Sequence, residues 1–585
     1  MAASPPRDTL RTDAPRLRER GTGLPWLLLL LAVLVAVPTG LTGVLLRSGV
    51  HFLFEALQPF RDQLWAVLLP AIGALLSIWI VRGLFREPSG HAVGSVLESV
   101  LQEGGSMHPR SIFSWISGAL VSVASGGSAG LEGPIVTSGA AAGSTVGGLF
   151  RLPERQRVLL VACGVAGGVA AVFNAPLFGL VFAVEVVLAE WSFAALLPIA
   201  LSSTLATEVA RVLLGNQGAF QHPAASYATV DLLLCLPLGA LAGVLAVALV
   251  RGIRLVHRQS IRLRSVPVLG KPWYRAALGG LGVGIIGMAL PGAIGEGYST
   301  VARLLAGGLD AGLTLLALLI LGKLLATCLT LGSGAVGGIF AASLVLGALL
   351  GFSLGEAARL LFPAAGFSPP ETFALVAMAG LVAGTLHAPL SGIFLVLETT
   401  SSWGLTLPLV LVAVFSVLAA RLFEPYSYYT RELARAGALL RPGTDRRILS
   451  DIRAAEVLDA ETASIEAGRT LDDLARLVGA TTRNHFAVVE PGTRRLLGML
   501  DFSALRPFIF DEVLRQATPV DTVMDTAVPV VHADDPLLQA MDLFERSGAW
   551  VLPVVRDGVF LGTLSKSTLF DRYRQELILQ TAVRQ

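Results

Sequence analysis

Apolar positions follow two regimes along this chain. From residue 24 to about 423 they form long runs separated by short polar or glycine-rich breaks; beyond about residue 440 the runs shrink to strand length. The first run, 24–46, is longer than the core of a signal peptide, and no small-residue cleavage site follows it. It predicts a membrane helix behind a polar, arginine-rich leader at residues 1–23. Further spans are expected at 64–81, 232–250, 276–290, 313–331 and 405–420. The runs at 91–101, 130–150 and 337–351 are expected to be too short or too glycine-broken to span. That predicts discontinuous helices around a buried site. Arg251, Arg254, Arg258, Arg262, Arg264, Lys271 and Arg275 predict a cytoplasmic loop between two spans.

Past Arg441, Pro442 and Gly443 charged residues become frequent. Strands are expected at 486–489, 496–500, 550–555 and 559–564, and helices at 471–478 and 537–545. The order helix, strand, turn, strand occurs twice, over 472–500 and 536–564, which predicts a tandem repeat in a soluble α/β tail. The expected organisation is a membrane domain at 24–437, a linker at 438–450, and a tail at 451–580 with copies at about 451–510 and 520–580.

The membrane part repeats itself too, with halves at about 24–214 and 229–437. Asn174-Ala-Pro-Leu-Phe-Gly leads to Glu185, and His387-Ala-Pro-Leu-Ser-Gly leads to Glu398. Upstream, Gly127-Ser-Ala-Gly-Leu-Glu-Gly resembles Gly332-Ser-Gly-Ala-Val-Gly-Gly, which pairs Glu132 with Gly337. Two matches in one order predict two homologous halves with a transported species at their interface. Only 15% of residues are charged and 54% are hydrophobic, against roughly 25% charged in soluble domains. That excludes a soluble enzyme and a disordered chain. The net charge of +2 gives no basic surplus for nucleic acid. Cys163, Cys235 and Cys328 stand far apart in apolar runs and read as packing residues. No HExxH occurs, and no convergent metal or nucleophile set suggests an intramembrane enzyme.

Acids are scarce in the apolar part, so each one is informative. Glu132 sits in Gly130-Leu131-Glu132-Gly133-Pro134, where proline marks the first turn of a helix. Unpaired N–H groups and the positive dipole end make such a turn an anion site. A carboxylate placed there fills the site until an anion displaces it or a proton neutralises it. Gly337-Gly338-Ile339-Phe340-Ala341 is a second start that can turn backbone N–H groups inward. Ser89, after Pro88, can cap a helix or donate to an anion. Tyrosines 426, 428 and 429 close the membrane part.

These four pieces, in this order, resemble the CLC family of chloride channels and chloride/proton exchangers, and the resemblance runs over about residues 24–580. It implies an α-helical polytopic membrane protein with inverted-repeat broken helices, followed by a cytoplasmic α/β pair of CBS modules. It makes Glu132 the gating glutamate. It places chloride on the Ser89 hydroxyl, the Ile339 and Phe340 N–H groups and the Tyr429 hydroxyl, with Gly90 and Gly133 in the same motifs. Tyr429 is chosen over Tyr426 and Tyr428 because Leu433 and Arg435 follow it at the family's spacing. A homodimer with one pore per subunit is implied, multi-pass in the plasma (inner) membrane, with both termini cytoplasmic and voltage-dependent gating.

The chain departs from the family pattern at several positions. Exchangers of the family carry a pair of acids where this chain has Glu185-Val186, and valine cannot carry the inner proton. A passive chloride channel is therefore expected, with a chloride/proton antiporter using a non-standard inner path as the alternative. Leu131 replaces a basic residue, and Ala92 and Ala342 replace prolines. His91, near the pore, could titrate between pH 5 and 8. In the tail, Ala504 and Thr568 stand where an acid usually holds ribose, so adenine nucleotide binding is expected to be weak or absent. No metal site is expected.

Overall fold

The computed structural model describes residues 24–61, 63–88, 92–216, 220, 226–265, 270–306, 312–435, 449–450, 452–481 and 483–584. The leader at 1–23, most of the linker at 438–450, and Ser89, Gly90 and His91 lie outside the described residues. The chain divides into two compact units, Met1–Leu439 and Leu440–Gln585.

The first half of the larger unit runs through α1 (Leu24–Arg61), α2 (Leu69–Ile78), α3 (Ala92–Gln102), α4 (Ser111–Ala124), α5 (Glu132–Leu149), α6 (Glu154–Phe173), α7 (Pro176–Phe182) and α8 (Phe193–Leu214). The second half runs through α9 (Asp231–Arg262), α10 (Pro272–Ala289), α11 (Tyr298–Leu305), α12 (Leu313–Ser333), α13 (Phe340–Leu361), α14 (Pro370–Leu386), α15 (Pro389–Thr400), α16 (Thr406–Phe423) and the short α17 (Arg431–Arg435). Among the described residues, eight helices are long and apolar enough to cross a membrane.

One of the segments expected not to span is corrected. α13 is an unbroken helix of 22 residues, long and apolar enough to cross a membrane, whereas α5, unbroken over 18 residues, is not among such helices. The breaks lie just ahead of them, at Gly126 and Gly334, whose φ angles of 105° and 103° favour glycine. Inside the helices glycine serves packing instead. A Cβ on Gly143 would overlap the Leu160 carbonyl of α6, and one on Gly347 would come 2.6 Å from the Ala377 carbonyl of α14. α5 therefore rides on α6, and α13 on α14, at backbone contact.

The arginine-rich stretch is also corrected. Residues 251–262 continue α9 as helix rather than loop, because no breaker separates the apolar run from the arginines. Arg251 and Arg254 reach Glu424 at 2.7 and 2.6 Å, and Arg431 joins them. Burial first, then the surrounding arginines, push the Arg431 guanidinium down to about 10.

The internal repeat is borne out in the backbone, with one shift of register. Gly126 matches Gly334, and α5 and α13 begin at Glu132 and Phe340. Glu132 thus corresponds to Phe340, not to Gly337. Two adjacent glycines, 337 and 338, leave the register of that match open in the sequence. Gly130 and Gly338 exchange two backbone hydrogen bonds, at 2.8 and 2.7 Å, as an antiparallel bridge. Equivalent residues bridge each other in this way across a local two-fold axis, the relation expected of an inverted repeat.

The smaller unit holds two three-stranded sheets. β1 (Ser464–Glu466) pairs parallel with β2 (His485–Val489), which pairs antiparallel with β3 (Leu496–Asp501). β4 (Val531–His532), β5 (Val551–Arg556) and β6 (Val559–Ser565) repeat that order. Both copies carry an irregularity at one place, between Val488 and Val489 and between Val554 and Val555. Phe560 packs with Ala487, Val489 and Met499 in a core shared by the copies. The two short parallel strands were not foreseen, because three and two residues are too few to show a period.

Candidate functional site

Glu132 opens α5 and is only 4% exposed. Its carboxylate folds back between the two halves. A Cβ on Gly338 would come 2.8 Å from its Oε2, and one on Gly130 would overlap that oxygen. Both positions need glycine for this close approach. The Tyr298 hydroxyl donates to Oε1 at 3.1 Å, and the first turn of α13 lies within electrostatic reach of the carboxylate. The acid of the first half thus occupies the helix start of the second half, where unpaired N–H groups and the dipole favour a negative charge.

Ile339 and Phe340 supply that start and are fully buried. The Phe340 ring lies 5.8, 5.4 and 6.3 Å from Phe173, Phe178 and Phe182, which pins the N-terminus of α13 to α6 and α7. Gly133 faces Ala92 at the start of α3, where a Cβ would come 3.6 Å from the alanine methyl. Of the three tyrosines, Tyr426 is exposed, while Tyr429 is buried and lies within electrostatic reach of Glu132. The Thr430 N–H donates to Ser427 Oγ at 3.2 Å, a local turn that fixes the chain on either side of Tyr429. Glu132, Ile339, Phe340 and Tyr429 therefore share one buried region. The chain just before Ser89 is anchored by Glu87, which accepts from Ser111 and Ser114 at 2.8 and 2.9 Å.

Glu185, the acid retained beside Val186, caps a helix of the other half. Its carboxylate accepts from the N–H groups of Leu390 and Ser391, at 3.1 and 2.7 Å, and from the Ser391 hydroxyl at 2.7 Å. Glu398 returns the contact, accepting from Leu177 and Phe178 at 3.0 and 2.7 Å. Each half caps a helix of the other. Val186 sits in a π-helical turn over Ala183–Leu188 and packs against the main core.

Three polar groups beside Glu132 escaped the sequence reading. Tyr298 is one. Glu296, in the loop before α11, lies within electrostatic reach of Glu132. Lys323, from the middle of α12, is fully buried and donates to the carbonyls of Gly295 and Glu296 at 2.7 and 3.1 Å. Lys323 is the one charged residue in Leu313–Ser333. That rarity at membrane depth was the available signal.

The voltage gated chloride channel family model matches residues 73–421, and the CBS domain model matches 520–574. This chain belongs to the CLC family. Curated relatives of this CLC protein include a ClcB-like protein of Ralstonia nicotianae, 35% identical over 380 residues, covering 63% of this chain and 86% of that one. The H(+)/Cl(-) exchange transporter ClcA of Vibrio parahaemolyticus is 31% identical over 430 residues, covering 70% and 90%. The voltage-gated ClC-type chloride channel ClcB of Escherichia coli is 31% identical over 384 residues, covering 65% and 88%. Among solved structures, a slow cyanobacterial Cl-/H+ antiporter superposes with a TM-score of 0.62 at 26% identity, covering 70% of this CLC chain and 97% of that one. A eukaryotic CLC transporter shares the fold over 93% of this chain and 98% of its own, with a TM-score of 0.61 at 21% identity.

Proposed function

We propose that this CLC protein exchanges chloride for protons across a membrane, with Glu132 as the residue both ions use. One observation carries the reading: the Glu132 carboxylate lies in the place between two helix starts where an anion would bind. Carboxylate and chloride then exclude each other, and a proton on Glu132 removes the charge that holds it there. The likeness to the ClcA exchange transporters and to the cyanobacterial antiporter supports exchange over the passive channel expected from Val186. Chloride would rest on the N–H groups of Ile339 and Phe340, on the Tyr429 and Ser89 hydroxyls, and against Gly90 and Gly133. His91 would modulate transport with pH. We further propose a homodimer in the plasma membrane with cytoplasmic termini, and a CBS tail without useful nucleotide affinity.

A passive channel is the second reading. It is favoured by Val186 and by Glu185 being committed as a cap, which leaves no acid at that turn for an inner proton. The two separate in proteoliposomes clamped with potassium and valinomycin. Chloride leaving down its gradient draws protons inward against theirs if the protein exchanges. Chloride flux with no proton movement assigns a channel.

A further inference from the structure

A second acid, Glu296, and a buried cation, Lys323, lie within electrostatic reach of Glu132. The loop Leu290–Gly297 is tied to the rest of the site. Its Gly295 N–H donates to the Gly126 carbonyl at 3.1 Å, just before α5, and Lys323 Nζ holds two of its carbonyls. Gly297, at φ 87°, leaves no room for a Cβ, which would come 2.9 Å from Val345 and 3.2 Å from Lys323 Nζ. The loop therefore has little freedom, and Glu296 is held in place. Glu296 Oε1 is enclosed and has no hydrogen-bond partner among the described residues, although the residue as a whole is only half-buried. Glu132 is almost fully enclosed. Among the described residues, Glu132 from α5, Tyr298 from α11, Lys323 from α12 and Arg47 from α1 lie within electrostatic reach of Glu296. Tyr429 lies within electrostatic reach of Glu132.

Charge counting gives the arrangement a purpose. With both acids ionised and Lys323 protonated, the three groups carry one net negative charge. One added proton makes them neutral, whichever acid holds it. If Glu132 were the sole acid, protonating it would leave the Lys323 charge buried and unopposed, which is costly. Glu296 removes that cost. An enclosed carboxylate oxygen without a partner is also a ready proton acceptor.

We propose that Glu296 is the proton donor and acceptor for Glu132: the two carboxylates share one proton over Lys323, and Glu296, the less enclosed of the two, exchanges it with water. In the transfer an O–H bond breaks on Glu296 as one forms on Glu132, and Lys323 keeps its proton throughout. The proposal deepens the exchange reading and rests on it for its proton-flux arm.

The test uses the full chain in proteoliposomes, with chloride and proton flux measured against pH on the Glu132 side. Glu296→Gln is expected to lower the proton-to-chloride ratio several-fold. It should also displace the pH–flux profile toward acid by about one unit, because Lys323 then has only Glu132 to neutralise. Lys323→Met should displace the profile the opposite way. The opposed directions separate a charge effect from simple damage to the fold. A Glu296→Gln protein with unchanged ratio and unchanged profile overturns the proposal. Should that variant not fold, Lys323→Met decides alone, and an unmoved profile overturns it. If the wild-type protein moves chloride without protons, the exchange reading fails by itself. The displaced pH profile then still tests whether Glu296 and Lys323 control the proton on Glu132.

Discussion

Glu132 is the residue on which the transport reading turns, and its removal has a definite expected outcome. Glu132→Gln keeps the shape of the side chain and its bond from Tyr298 but loses the charge that the start of α13 attracts. Chloride should then enter without competition. Chloride flux in proteoliposomes is expected to stay high and to lose the pH dependence that Glu132 supplies, leaving what His91 adds, and proton movement coupled to it should vanish. An unchanged pH profile would place the titrating group elsewhere. Glu132 was legible in the sequence because an acid two residues ahead of a proline, in a glycine-rich apolar stretch, has few other uses. Lys323 was equally visible as a lone charge. Its meaning was not, because its partners come from a loop some thirty residues earlier and from a helix in the other half. Rarity marks a residue, but only the fold says what it faces.

At the scale of elements, the two halves are locked by reciprocal caps. Glu185 takes three donors from the start of α15, and Glu398 takes two from the start of α7. The repeated Ala-Pro-Leu-x-Gly…Glu pattern was legible as a repeat, but its mechanical role was not. Each acid satisfies a helix more than two hundred residues away, and no local period reveals that. Replacing either acid by alanine leaves helix-start N–H groups unpaired, which costs about 1–3 kcal/mol. Glu185→Ala should cost more than Glu398→Ala, since it loses the Ser391 hydroxyl as well. Thermal unfolding in detergent measures the order. If both variants melt with the wild type, the caps are not what joins the halves. The glycine contacts make a parallel case: Gly347→Val would drive a side chain into the Ala377 carbonyl and should separate α13 from α14 at a cost of about 1–3 kcal/mol or more.

At the scale of the whole molecule, a membrane unit and a CBS-type tail are two compact units on one chain. The tail can report on nucleotide only if it binds one, and its local geometry argues against that. Position 568, where an acid would usually hold ribose, is occupied by a threonine already engaged in its own turn. Thr568 Oγ1 lies 2.7 Å from Ser565 Oγ, and the Thr568 N–H donates to that same oxygen. In the first copy, Asp501 is spent capping the following helix through the Ser503 N–H, and Ala504 offers no acceptor. Linkage turns this into a measurement on the full chain. A ligand at one hundred times its Kd stabilises the state that binds it by about 2.7 kcal/mol, a shift of a few degrees in melting. ATP at about 1 mM would therefore reveal any site with a Kd near 10 µM. No melting shift and no change in chloride flux are expected. Thr568→Asp restores the missing acceptor, and if the rest of the cleft is intact it should introduce an ATP-dependent shift. A wild-type protein already stabilised by ATP would mean that ribose is held by other groups, and that the tail senses nucleotide after all.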